Sequence, residues 1–293
     1  MTAHDTFNPS EMTESQNRPD NIPPGIYKDL SSEDYHNDKQ SLSRSSLKDF
    51  DVSPYHYWAL HLNPDRPEKK RTDAMIFGSA FHTYILEPHL FKAEYAVEPE
   101  KKMLKYDGEE AYRAYKNECE ALEKSDKIVL SAKDMWKLVE MKLALHRDPR
   151  TMELIRGAEI EKSFFWEDKE SGLIVKSRPD ILHKNMIVDL KTCSDASPRG
   201  FQNAMVSGWY HVQAGMIRDA VRELEGRDIP NCICINVESD YPFHVSIYPI
   251  AEEAIETGQR EYKELLLNLK ECQVKGFWPD HDIQTIGLPT WYK

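Results

Sequence analysis

The sequence predicts an α/β (α+β) fold, with a central mixed β-sheet flanked by helices in a single domain. Two segments, 172–191 and 232–250, read as pairs of short alternating strands joined by tight polar loops. Helical patterns surround them, and the clearest of these cover 73–86, 210–224 and 251–275. The resulting order is helices, three strands, a helix, two strands and a helix, which places helices on the faces of one sheet.

Composition limits the class of protein. The chain has 293 residues, of which 40% are hydrophobic and 30% charged, and it contains no apolar run long enough to cross a membrane. Its five cysteines are odd in number and irregular in spacing, which favours a reduced cytoplasmic protein over a disulfide framework. The net charge of −12 argues against coating nucleic acid through bulk charge, although an enzyme can hold DNA in a local basic channel.

The predicted domain covers residues 25–275. Residues 1–24 lack the basic and then apolar order of a signal peptide, and we interpret them as a disordered arm. The tail over 276–293 carries Trp278 and Trp291, which we expect to dock against the body or against a neighbouring chain.

The first helices are expected shortly after the arm. Ser45 or Ser46 is expected to cap a short helix that runs through Phe50, and Pro54 to begin another. Arg44, with serines on both sides, is a candidate phosphate contact at a helix N-terminus. Ordinary capping accounts for the same residues equally well.

The segment 73–86 predicts a buried helix that ends before Pro88, because it is apolar on almost every side. Gly78 inside it indicates that another element approaches closely. His82 alone is most simply a hydrogen-bonded core histidine. If the helix packs against the strands at 172–191, His82 becomes a candidate metal ligand.

Charged amphipathic patterns at 108–125 and 131–156 predict helical scaffold. The alternation at 159–168 predicts a strand, in which Glu161 either adds a carboxylate to a metal site or faces solvent. Gln213 is a polar residue on the apolar face of the helix at 210–224. A buried amide needs partners, so Gln213 either braces a loop or faces an active site.

The residues best suited to catalysis lie in the strand pair at 172–191. Asp189 and Lys191 point to one face of their strand, and the pairing can bring Asp180 beside Asp189. Neighbouring carboxylates repel, and a hard ion such as Mg²⁺ relieves this because it binds carboxylates while keeping waters for substrate phosphates. Lys191 is then placed to orient or deprotonate an attacking water, or to neutralise charge on a phosphate. An ordinary surface hairpin is the alternative.

The order Arg178-Pro179-Asp180 and then Asp189-Leu190-Lys191 resembles the core of the PD-(D/E)xK nucleases. More specifically, the chain resembles the exonuclease VIII (RecE-type) group, which is related to λ-type exonucleases and RecB-type nuclease domains, over about residues 25–275. The other matching pieces are Gly78 to His82 with Leu86 and Glu87, Glu161 with Ser163, Gly172 to Asp180, and Tyr210 to Gln213.

The resemblance implies a restriction-endonuclease-like core in which His82, Asp180 and Asp189 bind Mg²⁺ or Mn²⁺ and Lys191 is catalytic. It gives Glu161 and Gln213 supporting roles in catalysis. It also implies 5′→3′ digestion of one strand of duplex DNA from an end, leaving 3′ tails for a RecT-type single-strand annealing protein in recombination. Such proteins are commonly phage-derived and form ring-shaped homo-oligomers. Candidate DNA contacts are Arg44, Lys176, Arg178 and Tyr210.

Two departures from the relatives stand out. Ile217 lies four residues after Gln213, where RecB-type nucleases often carry tyrosine, although Tyr210 lies one turn earlier. Only Cys232 and Cys234 are closely spaced, so no iron–sulfur cluster is expected. The rival interpretations are a structure- or sequence-specific endonuclease on this core, a non-catalytic DNA-binding protein, and another metal-dependent hydrolase.

Overall fold

A computed structural model describes residues 22–68 and 70–288 of the chain. The predicted arm lies outside this range as far as residue 21, and so does Trp291 of the tail. None of the helices in the described ranges is long and apolar enough to span a bilayer.

Helices and short strands alternate along the described part of the chain. In chain order they are β1 (Gly25–Tyr27), α1 (Ser32–Asn37), α2 (Arg44–Val52), α3 (Pro54–Tyr57), a π-helical turn (Trp58–Leu62), α4 (Asp73–Leu86), α5 (Pro88–Glu94), β2 (Tyr95–Val97), α6 (Leu104–Asp107), α7 (Glu109–Glu123), β3 (Ile128–Leu130), α8 (Ala132–Arg147), α9 (Pro149–Ile155), β4 (Glu159–Ile160), β5 (Ser163–Glu167), β6 (Ile174–Ser177), β7 (Ile181–Leu182), β8 (Met186–Cys193), α10 (Pro198–Gly208), α11 (Tyr210–Glu225), β9 (Asn231–Glu238), β10 (Val245–Pro249) and α12 (Glu252–Lys275).

A mixed sheet of five strands, in the order β10-β9-β8-β7-β4, forms the centre of the fold. Its strands β8 and β9 are parallel and the other neighbours are antiparallel. A second, antiparallel sheet has the order β1-β5-β6, and β2 and β3 form a parallel pair. The predicted fold class, a mixed sheet with flanking helices, is confirmed.

Hydrophobic clusters cover both faces of the five-stranded sheet. Successive side chains of β8 alternate between them, so Ile187 packs with the cluster that includes α11 and α12, while Val188 and Leu190 pack with the cluster that includes α4 and α8. Asp189 and Lys191 lie two and four residues after Ile187, so their side chains point to the same face of the sheet as that of Ile187. They therefore lie on the α11 face of the sheet, where an apolar layer would otherwise continue.

Two of the predicted strands are each divided in two. The strand expected at 159–168 separates into β4 and β5 at Glu161, and the strand expected at 172–182 separates into β6 and β7 around Pro179. At each division the chain passes from one sheet to the other. Pro179 has no N–H to donate to a ladder, and Glu161 has a φ of +50°, which ordinary strand residues do not adopt.

The helices differ from prediction in three places. Ser43 caps α2, where Ser45 or Ser46 was expected, because the side chains of Ser43 and Ser46 accept each other's backbone N–H groups. The helix expected at 131–156 is interrupted at Asp148, which is followed by proline and caps α9. Within α4 only Ala80, Phe81 and Leu86 are buried, so the prediction of a buried helix holds for one face and is wrong for the rest.

The beginning of the tail packs on the body. The ring of Trp278 lies 5.7 Å from that of Tyr57, measured between centroids. The N–H of Tyr55 donates to the carbonyl oxygen of Pro279 at 3.0 Å.

Glycines bring α12 close to α11. A Cβ added at Gly258 would lie 2.5 Å from the carbonyl oxygen of His211, and one added at Gly215 would lie 2.8 Å from the Cγ of Gln259. By contrast, a Cβ at Gly78 in α4 would meet the Oγ1 of Thr192 at 3.7 Å, which is an ordinary contact. The helix α12 therefore fixes the position of α11, and with it the position of Gln213.

We expect Gly258→Ala to destabilise the protein by about 1–3 kcal/mol, because the backbone of α11 must move to admit the methyl group. Gly78→Ala is the matched control. It should be neutral or stabilise by up to about 1 kcal/mol, since alanine is the better helix former and the site has room. Urea unfolding followed by circular dichroism measures both changes, and equal midpoints for Gly258→Ala and the wild type would contradict this packing.

Candidate metal centre and active site

The corner between the two sheets brings carboxylates together. Glu161 and Asp180 lie at the two strand divisions, and these face each other because Ile160 pairs with Ile181 on one side and Phe164 with Ser177 on the other. The N–H of Glu161 donates to the carbonyl oxygen of Asp180 at 3.2 Å, which continues the ladder across the corner.

His82 of α4 completes a group of three potential ligands. One donor atom from each of His82, Glu161 and Asp180 lies within 4.8 Å of the other two. The Nδ1 of His82 is 3.7 Å from Oδ2 of Asp180. Ligand atoms that surround Mg²⁺ or Mn²⁺ at about 2.1 Å stand roughly 3–4 Å apart, so these separations are close to ligand spacing. Two carboxylates and an imidazole are also a donor set that fits such an ion.

Asp189 lies beside this group on β8. Its Oδ2 is 2.7 Å from the Nζ of Lys191, and its Oδ1 accepts a hydrogen bond of 3.1 Å from the Nε2 of Gln213. Burial raises the pKa of Asp189 to about 7, against the opposing effect of Lys191 and with the charge of Asp180 adding to it. Asp189 is thus held by two side-chain donors, while Glu161 stands with His82 and Asp180 in the ligand group.

The crowding of buried groups at this corner shifts the pKa values of Glu161 and His82. Burial, and then the negative charge of Asp180, raise the pKa of Glu161 well above its ordinary value, and Arg178 opposes them. Burial lowers the pKa of His82 although Asp180 acts in the other direction. His82 is therefore neutral at pH 7, which is the form that can bind a metal ion.

Lys191 remains an ammonium group. Burial alone would lower its pKa, but the charges of Asp189 and Asp180 outweigh burial and raise the pKa above its ordinary value. The Nζ also lies 5.2 Å from the centroid of the Tyr210 ring. A permanently charged lysine can orient a water or stabilise a negative phosphate. Of the roles considered from the sequence, removal of a proton from the water does not fit this state.

Gln213 leaves an acceptor free at the centre of the site. Its Nε2 donates to Asp189, whereas its Oε1 is buried and has no hydrogen-bond partner among the described residues. Buried polar atoms are nearly always paired, so an unpaired one beside Asp189 indicates a place for a water or a substrate group.

The candidate DNA contacts separate into two pairs. Arg44 begins α2, donates to the carbonyl oxygen of Gly208 at 2.5 Å, and lies close enough to influence the pKa of both Lys191 and Tyr210. Tyr210 covers Lys191 with its ring. These two residues, Arg44 and Tyr210, border the site.

Lys176 and Arg178 are used inside the protein. Lys176 is only 5% exposed, and its Nζ donates to the carbonyl oxygens of Tyr35 and Asp38, both at 2.6 Å. The side chain of Lys176 is thus buried and already bonded, and the prediction that it contacts DNA is wrong. Arg178 donates from Nε to the Oγ of Ser163 at 2.7 Å, and its remaining contacts also lie within the fold.

Sequence reasoning missed two groups of residues near the site. Cys234 is the register partner of Asp189 on β9, and its Sγ lies 4.0 Å from Oδ2 of Asp189. The alternation of β9 could have placed it there. Tyr35 and Asp38, whose carbonyl oxygens accept from Lys176 of β6, belong to no motif, and no pattern in the sequence marked them.

A family model matches most of the chain. The model of the PDDEXK-like domain of unknown function (DUF3799) matches residues 43–286. No curated protein matches the chain.

The structural comparison agrees on the fold. The crystal structure of a presumed exonuclease from Eubacterium rectale has a TM-score of 0.57 and 18% sequence identity, and the match covers 83% of this chain and 86% of that one. The crystal structure of the protein SSO0001 has a TM-score of 0.28 and 15% identity, covering 65% of this chain and 85% of that one, a likeness too low to bear on the fold.

We expect the affinity for Mn²⁺ to rise with pH between about 6 and 8. The metal binds ionised carboxylates, and the raised pKa values of Asp189 and Glu161 keep protons in the metal-free site at pH values where ordinary carboxyls are ionised. Each proton that must leave weakens binding by up to about tenfold per pH unit below its pKa. Electron paramagnetic resonance of free Mn²⁺ measures this, and equal affinities at pH 6 and pH 8 would exclude such protonated ligands.

Proposed function

The chain belongs to the family of PDDEXK-like domains of unknown function (DUF3799), and from this premise we propose that it is a Mg²⁺- or Mn²⁺-dependent exodeoxyribonuclease that acts on ends of double-stranded DNA. The observation that carries the proposal is the meeting of His82, Glu161 and Asp180 beside Asp189 and Lys191. Ligands for a hard cation and a fixed ammonium group are the components that phosphodiester hydrolysis needs.

Each group has a role that follows from its surroundings. His82, Glu161 and Asp180 would hold the ion, with Asp189 next to them as a further carboxylate ligand. A bound ion would lower the pKa of its water and stabilise negative charge on the phosphate. Lys191, fixed by Asp189 and Tyr210, would orient the attacking water and offset charge on the phosphate. The free Oε1 of Gln213 can accept a hydrogen bond from that water.

The finer features of the proposal rest on the motif resemblance. They are 5′→3′ polarity, 3′-tailed products that a RecT-type annealing protein uses in recombination, and a ring-shaped homo-oligomer. The presumed exonuclease from Eubacterium rectale adds a fold of the same kind. Arg44 and Tyr210, at the border of the site, are the described side chains best placed to meet the DNA strand.

A linear duplex labelled at its 5′ or its 3′ end tests the proposal directly. We expect early release of the 5′ label in Mg²⁺ or Mn²⁺, no release with a chelator, and no cutting of a covalently closed circle. Cutting of the circle would replace the exonuclease by an endonuclease. Absence of cleavage with any metal would favour a protein that only binds DNA.

Two substitutions should separate chemistry from binding. We expect Asp189→Ala to abolish hydrolysis, and Lys191→Met to lower kcat by about 10²–10³-fold, because an oriented charge near the reacting phosphate is lost. Lys184→Met is the matched control, since Lys184 is exposed in the loop between β7 and β8. All three proteins should bind the duplex end in a gel-shift assay. Substantial hydrolysis by Asp189→Ala would show that Asp189 is not required for catalysis.

A further inference from the structure

The N-terminal strap, residues 25–41, lies against the corner that carries Glu161. It precedes the part of the chain that the family model matches, which begins at residue 43. Its strand β1 pairs with β5, with Tyr27 opposite Ser163. Its helix α1 buries one residue, Tyr35, which is 7% exposed. The strap is therefore ordered against the fold although it lies outside the matched domain.

Lys176 on β6 anchors the strap. Its Nζ bonds to the carbonyl oxygens of Tyr35 and Asp38, lies 3.4 Å from Oδ2 of Asp38, and stands 4.8 Å from the centroid of the Tyr35 ring. A nearly buried ammonium group needs several acceptors, and the strap supplies all of those that the structure gives it.

Arg178 connects the strap to the site. Its Nη2 donates to the carbonyl oxygen of Leu30 at 2.9 Å, and its guanidinium lies 4.2 Å from the centroid of the Tyr35 ring. From β5, the Oγ of Ser163 accepts from its Nε at 2.7 Å. The same Nε stands 3.9 Å from Oε2 of Glu161. The guanidinium is thus held on one side by the strap and faces a proposed metal ligand on the other.

Glu161 needs such support. It lies at a strand division with a positive φ, so strand pairing does not fix the direction of its side chain. Within the described residues, Arg178 is the one cation within 4 Å of its carboxylate. An arginine side chain is flexible, so it can orient a neighbouring carboxylate only if its own rotamer is fixed. The ring of Tyr35, the carbonyl oxygen of Leu30 and the hydroxyl of Ser163 together fix it.

We propose that the strap is a positioning element for the metal site. Tyr35 holds Arg178 in place, and Arg178 in turn directs the carboxylate of Glu161 toward His82 and Asp180. Tyr35 and Arg178 are positioning residues and touch neither metal nor substrate. The inference rests on the proposed metal-dependent function, and it extends the site to a segment outside the matched domain.

The test compares variants that keep every charge of the site. Tyr35→Leu removes the ring that holds Arg178, and Tyr35→Phe, the matched control, retains it. Ser163→Ala loosens Arg178 from the opposite side and serves as the second variant if Tyr35→Leu does not fold. The affinity for Mn²⁺ alone is measured by electron paramagnetic resonance, at a temperature where circular dichroism shows each variant folded. Cleavage of a linear duplex is measured in parallel.

We expect Tyr35→Leu and Ser163→Ala to bind Mn²⁺ more weakly by about tenfold, the lower end of the loss that is typical when a residue that orients a metal ligand is removed. Tyr35→Phe should bind like the wild type. A purely structural strap would lower the melting temperature and leave the Mn²⁺ affinity of the folded variants unchanged, and that result would overturn the inference.

The two proposals can fail separately. Mn²⁺ binding that weakens in these variants, in a protein that cleaves no DNA, would support the strap and reject the nuclease. Cleavage by the wild type, together with unchanged Mn²⁺ affinity in Tyr35→Leu and Ser163→Ala, would do the reverse. If Tyr35→Leu is unfolded, the affinity of Ser163→Ala decides.

Discussion

The site depends on one hydrogen bond, in which the N–H of Glu161 donates to the carbonyl oxygen of Asp180. It joins two segments of the chain at the point where both leave one sheet and enter the other. Regular pleating would send side chains alternately to the two faces, whereas here the pairing is held while the strands bend. The backbones of Glu161 and Asp180 are thereby brought to the same corner, from which their side chains can reach His82 on α4.

The crowding of carboxylates at this corner explains the shifted pKa values of its ionisable groups. Three carboxylates lie within a small, largely buried region, and burial penalises each ionised form. The raised pKa values of Glu161 and Asp189 follow from that penalty, and the ammonium group of Lys191 offsets part of it. In the proposed function, a bound divalent cation would offset more of this penalty than Lys191 does.

Periodicity predicted the parts of the fold in which local pattern and tertiary packing agree. The helices α4, α11 and α12 and the strands β9 and β10 lie close to their expected ranges. The strand divisions were missed because alternation of polar and apolar residues continues through them. A change of sheet leaves no mark in periodicity, apart from Pro179, and the positive φ of Glu161 gave no signal in a residue other than glycine.

The position of a candidate side chain could be predicted from the sequence only where its neighbours lie close to it along the chain. Asp189 and Lys191 are two residues apart on one strand, so their common face followed from the sequence. Lys176 was expected to meet DNA because it precedes the motif. Its partners, Tyr35 and Asp38, lie 141 and 138 positions away in the chain, and only the folded structure shows that this charge is already used.

Several lysine and arginine side chains are bonded within the fold, and this affects how an acidic chain would bind DNA in the proposed function. Lys162, Lys176 and Arg218 are all buried and bonded to acceptors of the fold. Arg44 and Lys48, although near the surface, donate to carbonyl oxygens at the end of α10. The net charge of −12 is unfavourable for binding nucleic acid through bulk charge, and these internally bonded cations are not available to strengthen it. In the proposed function, the attraction for a phosphate would come from a bound cation and from Lys191 more than from bulk charge, which accords with action at a strand end.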